Sequence, residues 1–338
     1  MATRYVDKVG NLNLLQNKPD AAGLAVYQDQ LFLRSANGNV AVSPPAFYGT
    51  SYFVDAVNGS DSNSGLSWGD AFVTISKAFT TIATGDRIFL AGRFREQLTA
   101  PAQVFDVGIY GVSHNTRHPD STPANGNLVP ARWDVPATAT ASTPLLIIQQ
   151  QGWHVENILF TGSSTDTVDC IQLLRNSDSG NSERDASHTT ITKCRFQGGR
   201  YGIVDSGGCA RIRIIDNEFL LFSSSGDRAI TYVIGAGVGT RWGWKIIGND
   251  FTGNLSDIVL ASAGAKIYSN TFNAVALDVT NTVAIDTTGG SYNSFRFNDM
   301  CFTASGAGQS ARLTFVSTDL VGPNYWDTAA NEYSIGTS

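Results

Sequence analysis

The chain has little charge. Its 23 basic and 29 acidic residues make 52 of 338, or 15%, against about 25% in an average soluble domain. Lysine is scarce and most of the basic residues are arginine. Coiled coils, helical bundles and disordered tails need far more charge or Ala/Glu/Lys-rich sequence, so they are excluded. No run of Lys and Arg forms a stripe, and the formal net charge is −6, so nothing supports a nucleic-acid partner. No stretch approaches the 18 apolar residues of a membrane span, and the start Met1-Ala2-Thr3-Arg4-Tyr5 lacks the apolar core of a signal peptide. Synthesis in a reducing cytoplasm, with no membrane partner, is the expectation. The four cysteines (Cys170, Cys194, Cys209, Cys301) form no CxxC pair, so buried free thiols are expected rather than a disulfide framework. His114, His118, His154 and His188 have no metal-ligand spacing, and neither a G-x-S-x-G elbow nor a phosphate loop occurs. No metal and no cofactor is expected.

What is abundant is glycine, at 34 residues, together with asparagine. Both tolerate left-handed turn positions, which favours strands joined by tight bends. Residues 1–50 read as a polar leader followed by a small β-meander, Ala25–Gln28, Gln30–Arg34 and Asn39–Ser43, with a hairpin turn at Asn37-Gly38. Pro44-Pro45 closes it. With no clustered titratable groups, this unit is expected to attach the chain to a partner. From Ser51 a strand (Tyr52–Asp55), a polar loop, a helix (Phe72–Ala83) and a strand (Asp86–Gly92) follow without a hairpin signal. That order predicts a helix closing one end of a sheet stack.

The strongest signal is an internal repeat. Six segments share the order apolar, two variable, usually Asn, one variable, then Phe or a substitute: Val155–Phe160, Ile191–Phe196, Ile214–Phe219, Ile246–Phe251, Ile267–Phe272 and Phe295–Met300. Their last positions are 36, 23, 32, 21 and 28 residues apart, a mean of (300 − 160)/5 = 28. So irregular a period excludes helical solenoids and suits a parallel β-helix, whose corner loops absorb length variation. Successive coils would lie about 4.8 Å apart. Phe160, Phe196, Phe219, Phe251, Phe272 and Met300 would then form an internal apolar stack, and Asn217, Asn249, Asn270 and Asn298 an internal ladder at a left-handed bend.

The segment Tyr52-Phe53-Val54-Asp55 … Asn58-Gly59-Ser60-Asp61 … Gly65 … Trp68 … Ala71-Phe72 … Ile75 … Ala78 … Gly85-Asp86 … Ile88 resembles the opening of right-handed parallel β-helix proteins of the pectate-lyase-like superfamily. The Ile-x-x-Asn-x-Phe units are similar to that superfamily's repeats, over about residues 51–305. Gln151–Phe160 also resembles β-helix proteins of tailed bacteriophages. The resemblance implies an all-β, right-handed parallel β-helix with an N-terminal capping helix and a meander. It divides the chain into an attachment unit (1–50), a β-helix (51–310) and a C-terminal strand with a docking tail (311–338). It also implies a structural virion protein: a homotrimer bound to phage capsid or tail proteins, as a capsid decoration protein or short spike. The alternatives it leaves are a polysaccharide-degrading tailspike and a non-catalytic spike that binds host surface polysaccharide.

For chemistry, glycoside hydrolysis needs two carboxyl groups facing one groove. In the aligned repeats the residue before the last position reads Leu159, Arg195, Glu218, Asp250, Thr271, Asp299. Glu218 and Asp250, with Asp216 beside them, form the best catalytic set; otherwise they are an exposed polar column, with an Arg195–Glu218 pair worth little. The lyase pattern of acidic calcium ligands is not recognisable, since Asp166, Asp169 and Asp185 share no repeat position, and Lys193 and Arg195 are only near them. Asp61–Gly65 resembles part of a calcium loop without its terminal bidentate acid, so an Asx turn is expected. Of six tryptophans, Trp242 and Trp244, after the Gly-rich Gly235–Gly239, are the expected surface pair for stacking on sugars. Thr116–Thr143 and Pro323–Ser338 lack strand periodicity and read as packing or docking segments.

Overall fold

Each repeat unit holds two three-residue strands separated by a two-residue bend, and in the computed structural model these strands stack coil upon coil. The structure describes residues 49–112, 131–175, 185–232, 242–273, 283–301, 313–327 and 333–336, and the strands Val6–Lys8, Leu24–Tyr27, Gln30–Ser35 and Gly38–Ala41. The first sheet has ten parallel strands running from Ser51–Asp55 through His154–Glu156, Arg213–Ile215 and Lys245–Ile247 to Leu320–Val321. The second runs from Arg93–Phe94 through Leu159–Thr161, Glu218–Leu220 and Asp250–Thr252 to Asn324–Asp327, with Tyr333–Gly336 added antiparallel at its end. The third has eight strands, from Leu98–Thr99 to Leu313–Thr314. Parallel strands joined by crossovers wind right-handed, and the result is a right-handed parallel β-helix.

The core is built from columns. Trp133, Phe160, Phe196, Phe219, Phe251, Phe272, Met300 and Trp326 lie in one register down the second sheet. From Phe160 to Phe272 the rings stack at 4.8–5.3 Å with interplanar angles of 9° or less. An aliphatic column, Val155, Ile191, Ile214, Ile246 and Ile267, faces it from the first sheet, and every member is fully buried. The coil spacing of about 4.8 Å falls within the centroid separations that offset-stacked rings favour, which is why phenylalanine recurs at this position.

The asparagine ladder holds Asn217, Asn249, Asn270 and Asn298, and extends to Asn324. The left-handed residue is not the asparagine, as expected from sequence, but the one before it: Asp216 (φ 55°), Gly248 (70°), Ser269 (55°) and Phe297 (58°), and Lys193 (53°) takes the same place before Cys194. That residue points to solvent, and the asparagine turns inward, where its amide replaces the backbone partners lost at the corner.

The N-terminal end differs from expectation in detail. The helix is Ile75–Phe79 only, because Phe72 bridges to Val54 as strand. Asp61 accepts the N–H groups of Val73 and Thr74 and the Thr74 hydroxyl, at 2.8–3.1 Å, so the Asp61 loop holds the helix N-cap Thr74, whose hydroxyl oxygen accepts the Lys77 N–H at 3.1 Å. The Glu96 carboxylate takes the next two N–H groups, Ile75 and Ser76, both at 2.9 Å. Ile75, Ala78 and Phe79 are buried, and Phe79 meets Trp153 edge-on at 5.8 Å. In the separate unit Met1–Gly49 the strand Val6–Lys8 joins the meander in parallel. Ser35 pairs with Gly38, so Gly38 opens a strand instead of forming the turn. Residues 42–48 (with Pro44-Pro45), residues 116–130 of the Pro/Ala/Thr-rich insertion and Gly235–Gly239 lie outside the described residues.

Two segments read as irregular contribute strands. Arg132–Asp134 places Trp133 between Phe94 and Phe160 in the aromatic column, and Asn324–Asp327 continues the second sheet. The expected C-terminal strand is present as Leu313–Thr314 in the third sheet, and Leu320–Val321 continues the first. The second compact unit accordingly spans Thr50–Ser338.

Candidate functional site

The bend between the first and second sheets exposes a column of left-handed residues, and the strand ends on either side turn polar side chains outward. Over the coils from Tyr110 to Asp250 these side chains line a groove of about 700 Å³. Glu156 and Tyr110 come from the ends of first-sheet strands, Lys193 and Asp216 from the bend, and Arg195, Glu218 and Asp250 from the starts of second-sheet strands. The three residues singled out in sequence, Asp216, Glu218 and Asp250, all line it.

Glu218 lies opposite Arg195 on one neighbouring strand and Asp250 on the other. Arg195 Nε is 3.4 Å from Glu218 Oε2, an ion pair in which both side chains are largely covered, at 18% and 30% exposure. Asp250 Oδ1 accepts the Thr252 hydroxyl at 3.3 Å. The Cα atoms of Glu218 and Asp250 are one strand spacing apart, about 4.8 Å, which is compatible with the roughly 5 Å carboxyl separation of a retaining glycosidase.

At the other end, Lys193 Nζ donates to Glu156 Oε1 at 2.7 Å and His154 Nε2 lies 3.0 Å from Glu156 Oε2. Burial draws the Glu156 carboxyl upward, but the hydrogen bonds from Lys193 and His154 outweigh it and hold the group below its ordinary value. The same hydrogen bond pushes the Lys193 ammonium up. Behind this cluster a ring column, Phe53, Phe89, Tyr110 and His154, stacks at 5.3–5.5 Å on the outer face of the first sheet. Burial pushes the Tyr110 phenol up, against the opposing pull of Arg87.

Four carboxylates and two cations line this groove with a phenol and a phenyl ring at one end. Such walls offer acceptors and donors for hydroxyl groups and a flat apolar surface for a sugar face. Cys194 also borders the groove, with its thiol buried and hydrogen-bonded to Thr192 O at 3.3 Å.

Tyr110 and Glu156 escaped the sequence reading. Tyr110 belongs to a coil with neither the Asn nor the Phe of the repeat, and only strand register with His154–Glu156 brings it to the groove. Lys193 and Arg195 were within reach, since both sit in the Ile191–Phe196 repeat.

The other candidates lie elsewhere. Trp242 and Trp244 are not a surface pair. Trp242 is 45% exposed, whereas Trp244 is fully buried with its indole N–H donated to Cys209 O at 2.8 Å. Gly243 between them is left-handed (φ 68°), so the bend sends the two rings to opposite sides of the wall. Asp169 is buried against Arg200, Asp166 bonds Ser163, and Asp185 caps the backbone at Ser187. No group of three metal-ligating side chains occurs among the described residues. His154 joins Glu156 and His188 lies 3.5 Å from Arg211, while His114 and His118 fall outside the described residues.

No protein-family model and no curated protein sequence matches the chain. Among solved structures it is similar to a rhamnogalacturonan lyase, with 13% identity over 83% of this chain and 67% of that one and a TM-score of 0.37. It is similar to pectate lyase Pel9A, with 12% identity, coverage of 82% and 69% and a TM-score of 0.43. It is also similar to ORF18 of Geobacillus virus E2, with 8% identity, coverage of 98% and 75% and a TM-score of 0.38. These likenesses bear on fold alone. By its three parallel sheets and their register, the chain is a right-handed parallel β-helix.

Proposed function

We propose that this β-helix binds carbohydrate in the groove beside the asparagine bend, without cleaving it, as a structural protein of a phage particle. The observation that carries the binding reading is the groove itself: Glu156, Lys193, Arg195, Asp216, Glu218 and Asp250 converge on one 700 Å³ space with Phe89 and Tyr110 at its end. With carboxylates in excess, it suits a neutral or amino-bearing saccharide. The Glu218–Arg195 ion pair supports the binding reading, because it holds an acceptor and a donor side by side for sugar hydroxyl groups.

The place on the particle is the second half of the proposal. The chain is a homotrimer attached to capsid or tail proteins through residues 1–50, as a decoration protein or short spike. The resemblance of Gln151–Phe160 to phage β-helix proteins and the separateness of the unit Met1–Gly49 support it. Outward apolar side chains such as Tyr292 and Phe297, 70% and 50% exposed, are available for contact between copies.

A polysaccharide-degrading spike is the second reading, favoured by the register of Glu218 opposite Asp250. Incubation of the full chain with host capsular or O-antigen polysaccharide separates the two. Retention of the glycan with no new reducing ends or unsaturated products is expected. Product that disappears in Glu218→Gln would establish the enzyme, and neither retention nor product would remove the groove from consideration. Immunogold labelling of assembled particles tests the location: label on heads or tails is expected, and unlabelled particles would overturn it.

A further inference from the structure

The outer face of the first sheet carries a column of three cations. Arg213, Lys245 and Lys266 occupy the same position on three successive strands, paired Arg213↔Lys245 and Lys245↔Lys266. At a strand spacing of about 4.8 Å the column is about 10 Å long. Like charges directly opposite one another on neighbouring strands repel. Among the described residues none of the three has an ion pair or a side-chain hydrogen bond. Their neighbours give no relief, because the next outward column on the same strands is Ile215, Ile247 and Tyr268. In a chain of net charge −6 with few lysines, concentrating unpaired cations here costs stability and calls for a partner.

The second observation is on the flank of this column. Arg211, two residues before Arg213, lays its guanidinium over the exposed Trp242 ring, 4.3 Å from the centroid. Trp242 precedes Lys245 by three residues and pairs as a bridge with Ala263, which precedes Lys266 by three. A flat aromatic surface therefore runs alongside the cations, with aliphatic and phenolic surface on their other side.

We propose that this face binds a linear anionic polysaccharide: the cation column takes successive acidic groups, and Trp242, Ile215, Ile247 and Tyr268 take the apolar faces of the sugars. The flanking apolar strips favour a sugar polymer over a bare phosphate surface. The face is distinct from the groove, whose Asp216, Glu218 and Asp250 repel a polyanion. Failure of one site therefore leaves the other standing.

Affinity electrophoresis of the full chain through gels containing dextran sulfate, with plain dextran of equal length as the uncharged match, tests the proposal. Retardation by dextran sulfate alone, weakening as salt rises, is expected. The triple variant Arg213→Gln, Lys245→Gln, Lys266→Gln should lose affinity by about tenfold or more. Trp242→Ala should lose a smaller part. Lys77→Gln with Arg95→Gln, which removes charge from the N-terminal end, should leave retardation unchanged. The positions are at the surface, and equal melting temperatures verify that each variant is folded. Unretarded wild type, or a triple variant as retarded as wild type, overturns the proposal. So does equal retardation by single-stranded DNA, which reduces the face to a nonspecific polyanion surface. A triple variant of lower oligomeric mass in light scattering also overturns it, by assigning the face to a subunit contact.

Discussion

The side-chain amide of Asn249 donates to Asn270 Oδ1 at 2.9 Å, and the same oxygen accepts the backbone N–H of Asn249, also at 2.9 Å. One coil further on, Asn270 stands in the same relation to Asn298 Oδ1, at 3.0 Å for both bonds. Each link uses a side chain in place of the backbone partner that a strand loses at a corner, so the bend under the groove is held from inside by a continuous hydrogen-bonded column.

Asn249→Ala removes the oxygen that accepts both the N–H and the amide of Asn217, and with it the donor to Ile214 O. Buried donors left without partners cost about 1–3 kcal/mol each, so a loss of about 2–4 kcal/mol is expected. Urea unfolding followed by far-UV circular dichroism measures it. A change below about 0.5 kcal/mol, the range of ordinary surface substitutions, would show that the ladder is incidental.

The two neighbouring tryptophans should part company. Trp244→Ala empties a fully buried site and strands Cys209 O, for a cost of about 3–5 kcal/mol. Trp242→Ala, at a site 45% exposed, should fall within about 0.5 kcal/mol of wild type. Equal effects on the thermal midpoint would contradict the inside–outside assignment.

Three thiols should be silent in the native state. Burial pushes Cys170, Cys194 and Cys209 up, Cys194 to about 12, so almost no thiolate is present at pH 8. In Cys301→Ser protein an aromatic disulfide reagent should react with none of them until denaturant is added. Rapid native labelling would place a thiol at the surface.

Acid should weaken the fold partly through Glu156. Its folded-state value lies below the ordinary 4.5 because Lys193 and His154 oppose the effect of burial. A carboxyl depressed in this way adds stability above the unfolded value and loses it as pH falls through the folded one. Glu156→Gln should therefore flatten the decline in melting temperature between about pH 5 and pH 3. A decline as steep as that of wild type would mean that the Glu156 cluster contributes nothing to it.

The columns were legible because their chemistry repeats: an Ile, an Asn and a Phe return in fixed order wherever coils stack, whatever loop separates them. Trp133 and Asn324 belong to the same columns and escaped, Trp133 because no Ile-x-x-Asn frame precedes it. Asn324 does follow Val321 by three, but Pro323 beside it signals a chain break. The inward asparagine and the left-handed residue before it were confused because spacing places a bend without saying which residue takes the positive φ. At the groove, Glu218 and Asp250 could be read from repeat alignment alone. Tyr110 and Glu156 required the register of the strands, which sequence periodicity does not carry.

Equilibrium titration of a fluorescent oligosaccharide of neutral or amino sugars tests the groove most directly, comparing wild type with the double variant Glu218→Gln, Asp250→Asn. Saturable binding by wild type and a loss of about tenfold or more in the double variant, at unchanged melting temperature, is the expected result. Equal affinities in the two proteins would contradict the assignment of carbohydrate binding to the groove beside the asparagine bend.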